Sequence, residues 1–135
     1  MRLPRLYPGT LLRRYKRFLA DIQLDTGETI TAHCPNSGSM KSVNIQGNRV
    51  QVSRSDDPKR KCLYTWELIE INQTWVGINT LRTNRIVGEA LRSGTIPGLI
   101  YPSVTPEIRV GSSRIDFLLK RDAHRCYVEV KNVTL

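Results

Sequence analysis

The sequence predicts a chain of mixed class, all β at first and α+β afterwards, led by a small five-stranded barrel of the OB type. Three observations carry this expectation. Up to about Thr80 the apolar residues fall in short strand-like runs separated by turn residues. At Asn79-Thr80 the spacing becomes helical. After a Gly/Pro-rich connection, three further strand-like runs follow before Leu135.

In chain order, GTLLRRYKRFLADIQL, from Gly9 to Leu24, reads as one long strand, and ETITAHCP, NRVQVSRS, YTWELIEIN and TWVGINT are the next four. Asp25-Thr26-Gly27 and Asn72-Gln73 are tight turns, while NSGSM and DDPKRK are longer loops. Five short antiparallel strands within about 75 residues suit a closed barrel, because a sandwich usually uses seven or more. Leu81, Ile86, Val87, Ala90 and Leu91 then predict a helix near Arg82 to Arg92, capped at its start by Asn79 or Thr80 and stopped by Gly94. The connection TIPGLIYPSVTP leads to EIRV, SRIDFLLK and RCYVEVKNV, a meander open on at least one edge. Two domains are expected, residues 1–80 and 81–135, with no internal repeat.

Composition excludes several classes. In 135 residues, 39% hydrophobic and 24% charged, no low-complexity run occurs, which fits a globular chain rather than a disordered one. The 21 Lys and Arg against 12 Asp and Glu give a net charge of +9, which favours a polyanionic partner. Twelve basic residues face seven acidic ones up to Thr80, and nine face five after it, so the excess does not come from a basic tail. Three widely separated cysteines without CxxC spacing suggest neither a disulfide framework nor a zinc site, and a cytoplasmic location is expected. MRLPRLYPGTLLRR lacks a following apolar segment, and no apolar run approaches the roughly 20 residues of a membrane span, so neither secretion nor a membrane partner is expected.

Two constellations carry possible chemistry. If Asp122-Ala123 is a two-residue turn, Asp116 lies opposite Glu129, Arg114 opposite Lys131 and Leu118 opposite Tyr127. Ile115, Phe117, Leu119, Cys126, Val128 and Val130 then share one apolar face, while the charged residues share the other. Two carboxylates about 5 Å apart repel by roughly 3 kcal/mol at an effective dielectric near 20. Mg²⁺ between them reverses the sign, and Lys131 on the same face would reach an attacking water or a phosphate. The same pattern also describes the solvated face of an ordinary hairpin, with Arg114 and Lys131 neutralising the acids.

In RRYKRFLAD, Arg13, Arg14, Lys16 and Arg17 alternate with Tyr15 and Phe18, a mixture in which cations neutralise phosphates and rings stack on bases. On a continuous strand Tyr15 and Arg17 would share one face, so one ring serves equally well as core. Lys59, Arg60 and Lys61 add charge to the same domain. On the helix, Arg82, Arg85, Glu89 and Arg92 form a stripe that reads either as surface ion pairing or as a third carboxylate, Glu89, near a metal. His33-Cys34 and His124 have no partner at ligand spacing and read as structural.

RRYKRFLAD, HCPNSGSM, YTWEL, NTLRTNR, SRIDF and YVEVKNVTL, in this order, resemble the sugar fermentation stimulation protein A family of bacteria and archaea, over essentially the whole chain. The resemblance implies an N-terminal OB-fold followed by a restriction-endonuclease-like domain of the PD-(D/E)XK class. Asp116 is similar to that class's first acid, Glu129-Val130-Lys131 to its E-x-K element, and Glu89 to an acid that often joins the metal site. It implies DNA as partner, Mg²⁺ as cofactor, and a link to sugar (maltose) metabolism through either a nuclease-like activity or a non-catalytic regulatory one. Members continue past VKNVTL with a further helix, strand and C-terminal segment, so a C-terminally truncated nuclease-like domain is expected, its own activity in question. Neither the oligomeric state nor the preferred DNA form follows from the residues.

Overall fold

The computed structural model describes residues 1–134. Two compact units divide the chain, one of Arg2–Thr80 and one of Leu81–Asn132 joined by Met1. The first contains strands β1 (Leu6–Tyr15), β2 (Leu19–Leu24), β3 (Thr29–His33), β4 (Arg49–Arg54), β5 (Tyr64–Ile71) and β6 (Thr74–Gly77). Their order, β3-β2-β1-β4-β5, is antiparallel until β3 meets β5 in parallel, Ala32 opposite Tyr64 and His33 opposite Thr65. That last pairing closes a five-stranded OB-type barrel.

The five strands are not quite those expected. The long first run folds as β1 and β2, because Lys16 and Arg17 take φ of 48° and 64° and reverse the chain. Tyr15 pairs with Leu19, so the reversal is a three-residue turn, Lys16 to Phe18, whose first two residues hold a positive φ that Gly or Asn usually supplies. Lys-Arg gives no such signal, so the turn was hidden, and the face assignments that a continuous strand gave Tyr15 and Arg17 do not apply. TWVGINT becomes β6, a hairpin extension of β5 across Asn72-Gln73, and does not take part in closure.

Period-two alternation fills the barrel. Ala20, Ile22 and Leu24 of β2, Ile30 and Ala32 of β3, and Val50 and Val52 of β4 all point inward and are buried. Leu11, Trp66, Ile69 and Ile78 complete this core. Glu67 is buried with them, its carboxylate accepting hydrogen bonds from Ser53 Oγ at 2.7 Å and Asn79 Nδ2 at 2.8 Å. Burial of a charged group is tolerated where such donors replace water.

The second unit holds α1 (Thr83–Arg92), entered through a 3₁₀ turn at Thr80–Arg82, and the meander β7 (Ser103–Val110), β8 (Ser113–Arg121) and β9 (His124–Val128). The expected caps divide. Asn79 Nδ2 donates to Glu67 and Thr80 Oγ1 to Pro35 O, and the N-cap position of α1 falls at Arg82, whose side chain makes no capping hydrogen bond. At the other end Gly94 (φ 67°) donates to Leu91 O and Thr95 to Ala90 O, the paired bonds of a Schellman stop. Leu91, Phe117 and Leu119 form the core, with Val87, Val104, Cys126 and Val128 packed around them. Leu81 and Ile86 stay exposed, so the apolar stripe of the helix is narrower than its spacing suggested.

The β8–β9 register places Phe117 opposite Val128, Leu118 opposite Tyr127 and Arg121 opposite His124. This is the register that a two-residue turn at Asp122-Ala123 requires. The second strand was expected to reach Val133 but ends at Val128, because the Val130 N–H turns to a carboxylate of Asp116 instead of a strand carbonyl.

Candidate functional site

Two groups of residues stand out, one in each unit. In the barrel, the β1–β2 turn carries Lys16 and Arg17, and the β4–β5 loop carries Lys59, Arg60 and Lys61, all five exposed. Backbone and side-chain bonds shape that loop: Ser55 N–H donates to Leu63 O at 2.8 Å, Lys59 N–H to Asp57 Oδ1 at 3.0 Å, and Arg60 Nη2 to Thr65 Oγ1 at 3.2 Å. The basic β4–β5 loop and the residues that follow the β1–β2 turn share an open cleft of about 300 Å³ lined by Phe18, Leu19, His33, Arg60, Lys61 and Cys62. The rings of Phe18 and His33 lie 6.4 Å apart with their planes 29° from parallel.

The other basic residues of RRYKRFLAD are engaged within the barrel. Arg14 donates to the carbonyls of Arg17, Ser39, Asn36 and Gly38 at 2.9, 3.1, 2.9 and 2.9 Å. It pins the loop after β3 to the β1–β2 turn. Arg13 Nε donates to Asp21 Oδ2 at 2.8 Å while its guanidinium stacks 4.4 Å from the Tyr15 ring centre. Tyr15 OH and Thr31 Oγ1 donate to the other oxygen of Asp21, at 3.1 and 3.0 Å. The Arg13 hydrogen bond, helped by these hydroxyls, holds the Asp21 carboxyl below the usual aspartate range. Arg13, Arg14 and Tyr15 therefore have structural partners, whereas Lys16, Arg17, Lys59 and Lys61 have no ion pair among the described residues.

In the second unit, β8 presents Asp116, and Glu129 and Lys131 follow the end of β9. Asp116 Oδ2 accepts the Val130 N–H at 2.8 Å, and Asp116 Oδ1 accepts Asn84 Nδ2 of α1 at 2.6 Å. Lys131 Nζ donates to Glu129 Oε1 at 2.7 Å. The Lys131 pKa is raised, chiefly by that hydrogen bond and the Glu129 charge and further by the charge of Asp116. The lysine thus feels both acids and stays protonated. Asn132 Nδ2 donates to Thr83 Oγ1 at 3.1 Å, tying the segment after β9 to the helix start. Glu89 is not gathered with these acids: its carboxylate accepts from the Met1 amino group at 2.7 Å, which lowers its pKa. Among the described residues no cluster of three or more His, Cys, Asp or Glu side chains is arranged to hold a metal ion.

Several of these residues were not visible in the sequence. Asn84 and Asn132 sit in NTLRTNR and VKNV as ordinary polar residues, and only the fold reveals their partners. Phe18 and His33 are separated by a whole hairpin, and their pairing follows from Leu19 facing His33 across β2 and β3.

Residues 12–78 match the family model of the SfsA N-terminal OB domain, and residues 81–135 match that of the sugar fermentation stimulation protein RE domain. The chain belongs to the sugar fermentation stimulation protein family. A sugar fermentation stimulation protein homolog of Geobacter metallireducens is 58% identical over the whole chain, which covers 60% of that relative. A homolog of Synechocystis sp. is 51% identical over 98% of the chain and 58% of the relative. The chain thus spans about 60% of the length of its curated sugar fermentation stimulation relatives. Among solved structures, Pyrococcus furiosus SfsA in complex with Ca²⁺ superposes with a TM-score of 0.80 at 23% identity, covering 96% of this chain and 55% of that one. The family's barrel model takes in both basic segments. No helix among the described residues is long and apolar enough to cross a membrane.

Proposed function

We propose that this sugar fermentation stimulation family chain binds DNA on the barrel face between the β1–β2 turn and the β4–β5 loop, and carries at the β8–β9 hairpin a Mg²⁺-dependent, nuclease-like phosphodiester-cleaving site. The observation that carries the proposal is a cleft in which Arg60 and Lys61 of the β4–β5 loop stand with the exposed ring of Phe18, which directly follows the basic β1–β2 turn. In OB barrels these two loops flank the oligonucleotide-binding face. The +9 charge supplies the attraction to phosphate. A cytoplasmic setting belongs to the same reading, because Cys34, Cys62 and Cys126 are all free thiols.

At the hairpin, the donor set fits a hard cation. Asp116 and Glu129 offer carboxylate oxygens, each with a lone pair beyond the hydrogen bond it already accepts. These two acids would hold Mg²⁺, with Glu89 outside the pair. The ion would supply charge stabilisation to a phosphoryl oxygen. Asn84 and the Val130 N–H fix the plane of the Asp116 carboxylate, and protonated Lys131 donates a hydrogen bond to a phosphate oxygen as negative charge develops. The P. furiosus relative was solved with Ca²⁺, another oxygen-seeking divalent cation.

A second reading, a non-catalytic DNA-binding regulator of sugar metabolism, is favoured by one observation. Both oxygens of Asp116, and one of Glu129, are satisfied by protein donors, so the acids are stable without a metal. Incubation of the chain with labelled single- and double-stranded DNA, with and without Mg²⁺, separates the two. The nuclease reading expects Mg²⁺-dependent products that vanish in Asp116→Ala while binding persists. Cleavage unchanged in Asp116→Ala, or independent of the metal, refutes the site. Salt-sensitive binding with no cleavage leaves the regulator.

A further inference from the structure

The cleft of the barrel sets the exposed ring of Phe18 together with Arg60 and Lys61. We propose that it takes an unpaired base of single-stranded DNA, stacked on Phe18, with the flanking phosphates on Arg60 and Lys61. This inference rests on the DNA-binding reading above and narrows it.

Phe18 is 44% exposed, and it directly follows two exposed cations at a hairpin turn. A ring in that position contributes little to the core. His33 lies beside it in the same cleft, ring centres 6.4 Å apart and planes 29° from parallel, and leaves nearly half of Phe18 exposed. Leu19 and Cys62 also line the cleft, and Arg60 and Lys61 are its charged members. Of the two acids in that loop, Asp56 and Asp57, the second is held by the loop itself, since Asp57 Oδ1 accepts the Lys59 N–H. An apolar plane flanked by cations is what a nucleotide with an exposed base face requires. In a duplex both faces of a base are covered by its neighbours, and reaching one demands unstacking that costs a few kcal/mol. The cleft therefore favours a strand whose bases are already free.

Fluorescence anisotropy on the full chain tests this, with a labelled oligothymidylate and a duplex of equal length titrated at fixed salt. A stacked base contributes enough that Phe18→Ala should weaken oligothymidylate binding by about 5- to 150-fold. Duplex affinity and the slope of affinity against salt should stay the same, because Phe18 neutralises no phosphate. Phe18→Trp should restore binding, and Phe18→Leu, which keeps an apolar side chain but no ring face, should not. Arg60→Gln and Lys61→Gln should each reduce the log-log salt slope for the single strand by about 0.7. If Phe18→Ala and Phe18→Leu bind oligothymidylate as the unaltered chain does, or lose duplex binding equally, the stacking inference is overturned while DNA binding stands. If the unaltered chain binds neither DNA at low salt, both fall together.

Discussion

Arg14 was expected to reach for phosphate, yet the structure spends its guanidinium on the barrel, and the difference can be measured. Arg14→Ala removes four hydrogen bonds to the carbonyls of Arg17, Asn36, Gly38 and Ser39. Only the bond to Asn36 O is partly shielded from water. A charged donor in such a place contributes about 1.5–3 kcal/mol, whereas the other three carbonyls regain water and lose nearer 0.5 kcal/mol each. Against this stands roughly 1.5–2 kcal/mol of side-chain entropy that the truncated residue no longer loses. The net destabilisation is about 2 kcal/mol, which lowers the melting temperature of a barrel of this size by roughly 8–16 °C. Urea unfolding followed by the fluorescence of Trp66, fully buried in this core, reports on the barrel. Arg14→Lys should recover only part of the loss, since a single ammonium cannot span the carbonyls that the planar fork does. A destabilisation below about 0.5 kcal/mol, accompanied by weaker DNA binding, would show that Arg14 is a phosphate contact and that the clamp is incidental.

Two further outcomes follow from the same geometry. The Asp21 carboxyl is held below its usual range by Arg13, Thr31 and Tyr15, so its contribution to stability is fully present above the unfolded aspartate pKa of about 3.9 and is lost as pH falls through the lower folded value. Asp21→Asn should flatten the acid limb of the stability curve in that window, and an unchanged limb would remove Asp21 from the account. At the hairpin, Asn84→Leu deprives Asp116 Oδ1 of its donor, and Mg²⁺ affinity measured by titration calorimetry should fall by about 10- to 100-fold, as for other groups that orient a metal ligand. Unaltered affinity would mean that Asp116 needs no such support.

What the sequence made legible follows from what each feature depends on. The β8–β9 register could be read because alternation and a short turn are local, and one fixes the other. The stop at Gly94 could be read because glycine marks a left-handed position directly. The turn at Lys16-Arg17 could not, because both residues adopt a conformation that their side chains disfavour and the surrounding strands impose it. The contacts of Arg14, Asn84 and Asn132 are not legible for a different reason. Their partners are backbone carbonyls or single side chains brought close only by the tertiary fold, and no spacing rule encodes such a meeting. The expected pairing of Asp116 with Glu129 lies beyond the end of β9 at Val128, and Glu89 takes the Met1 amino group as its partner.

The left-handed Lys16-Arg17 pair has a meaning for comparing one barrel of this kind with another. Holding two bulky residues at φ of 48° and 64° costs on the order of 1 kcal/mol each, a cost that glycine avoids at the same positions. Relaxing the backbone there with glycine also deletes a cation. Where a relative carries glycine at either place, its barrel is expected to melt later and to hold polyanions less tightly. The residue at the tip therefore marks whether a given barrel has an unstrained turn or an added positive charge there.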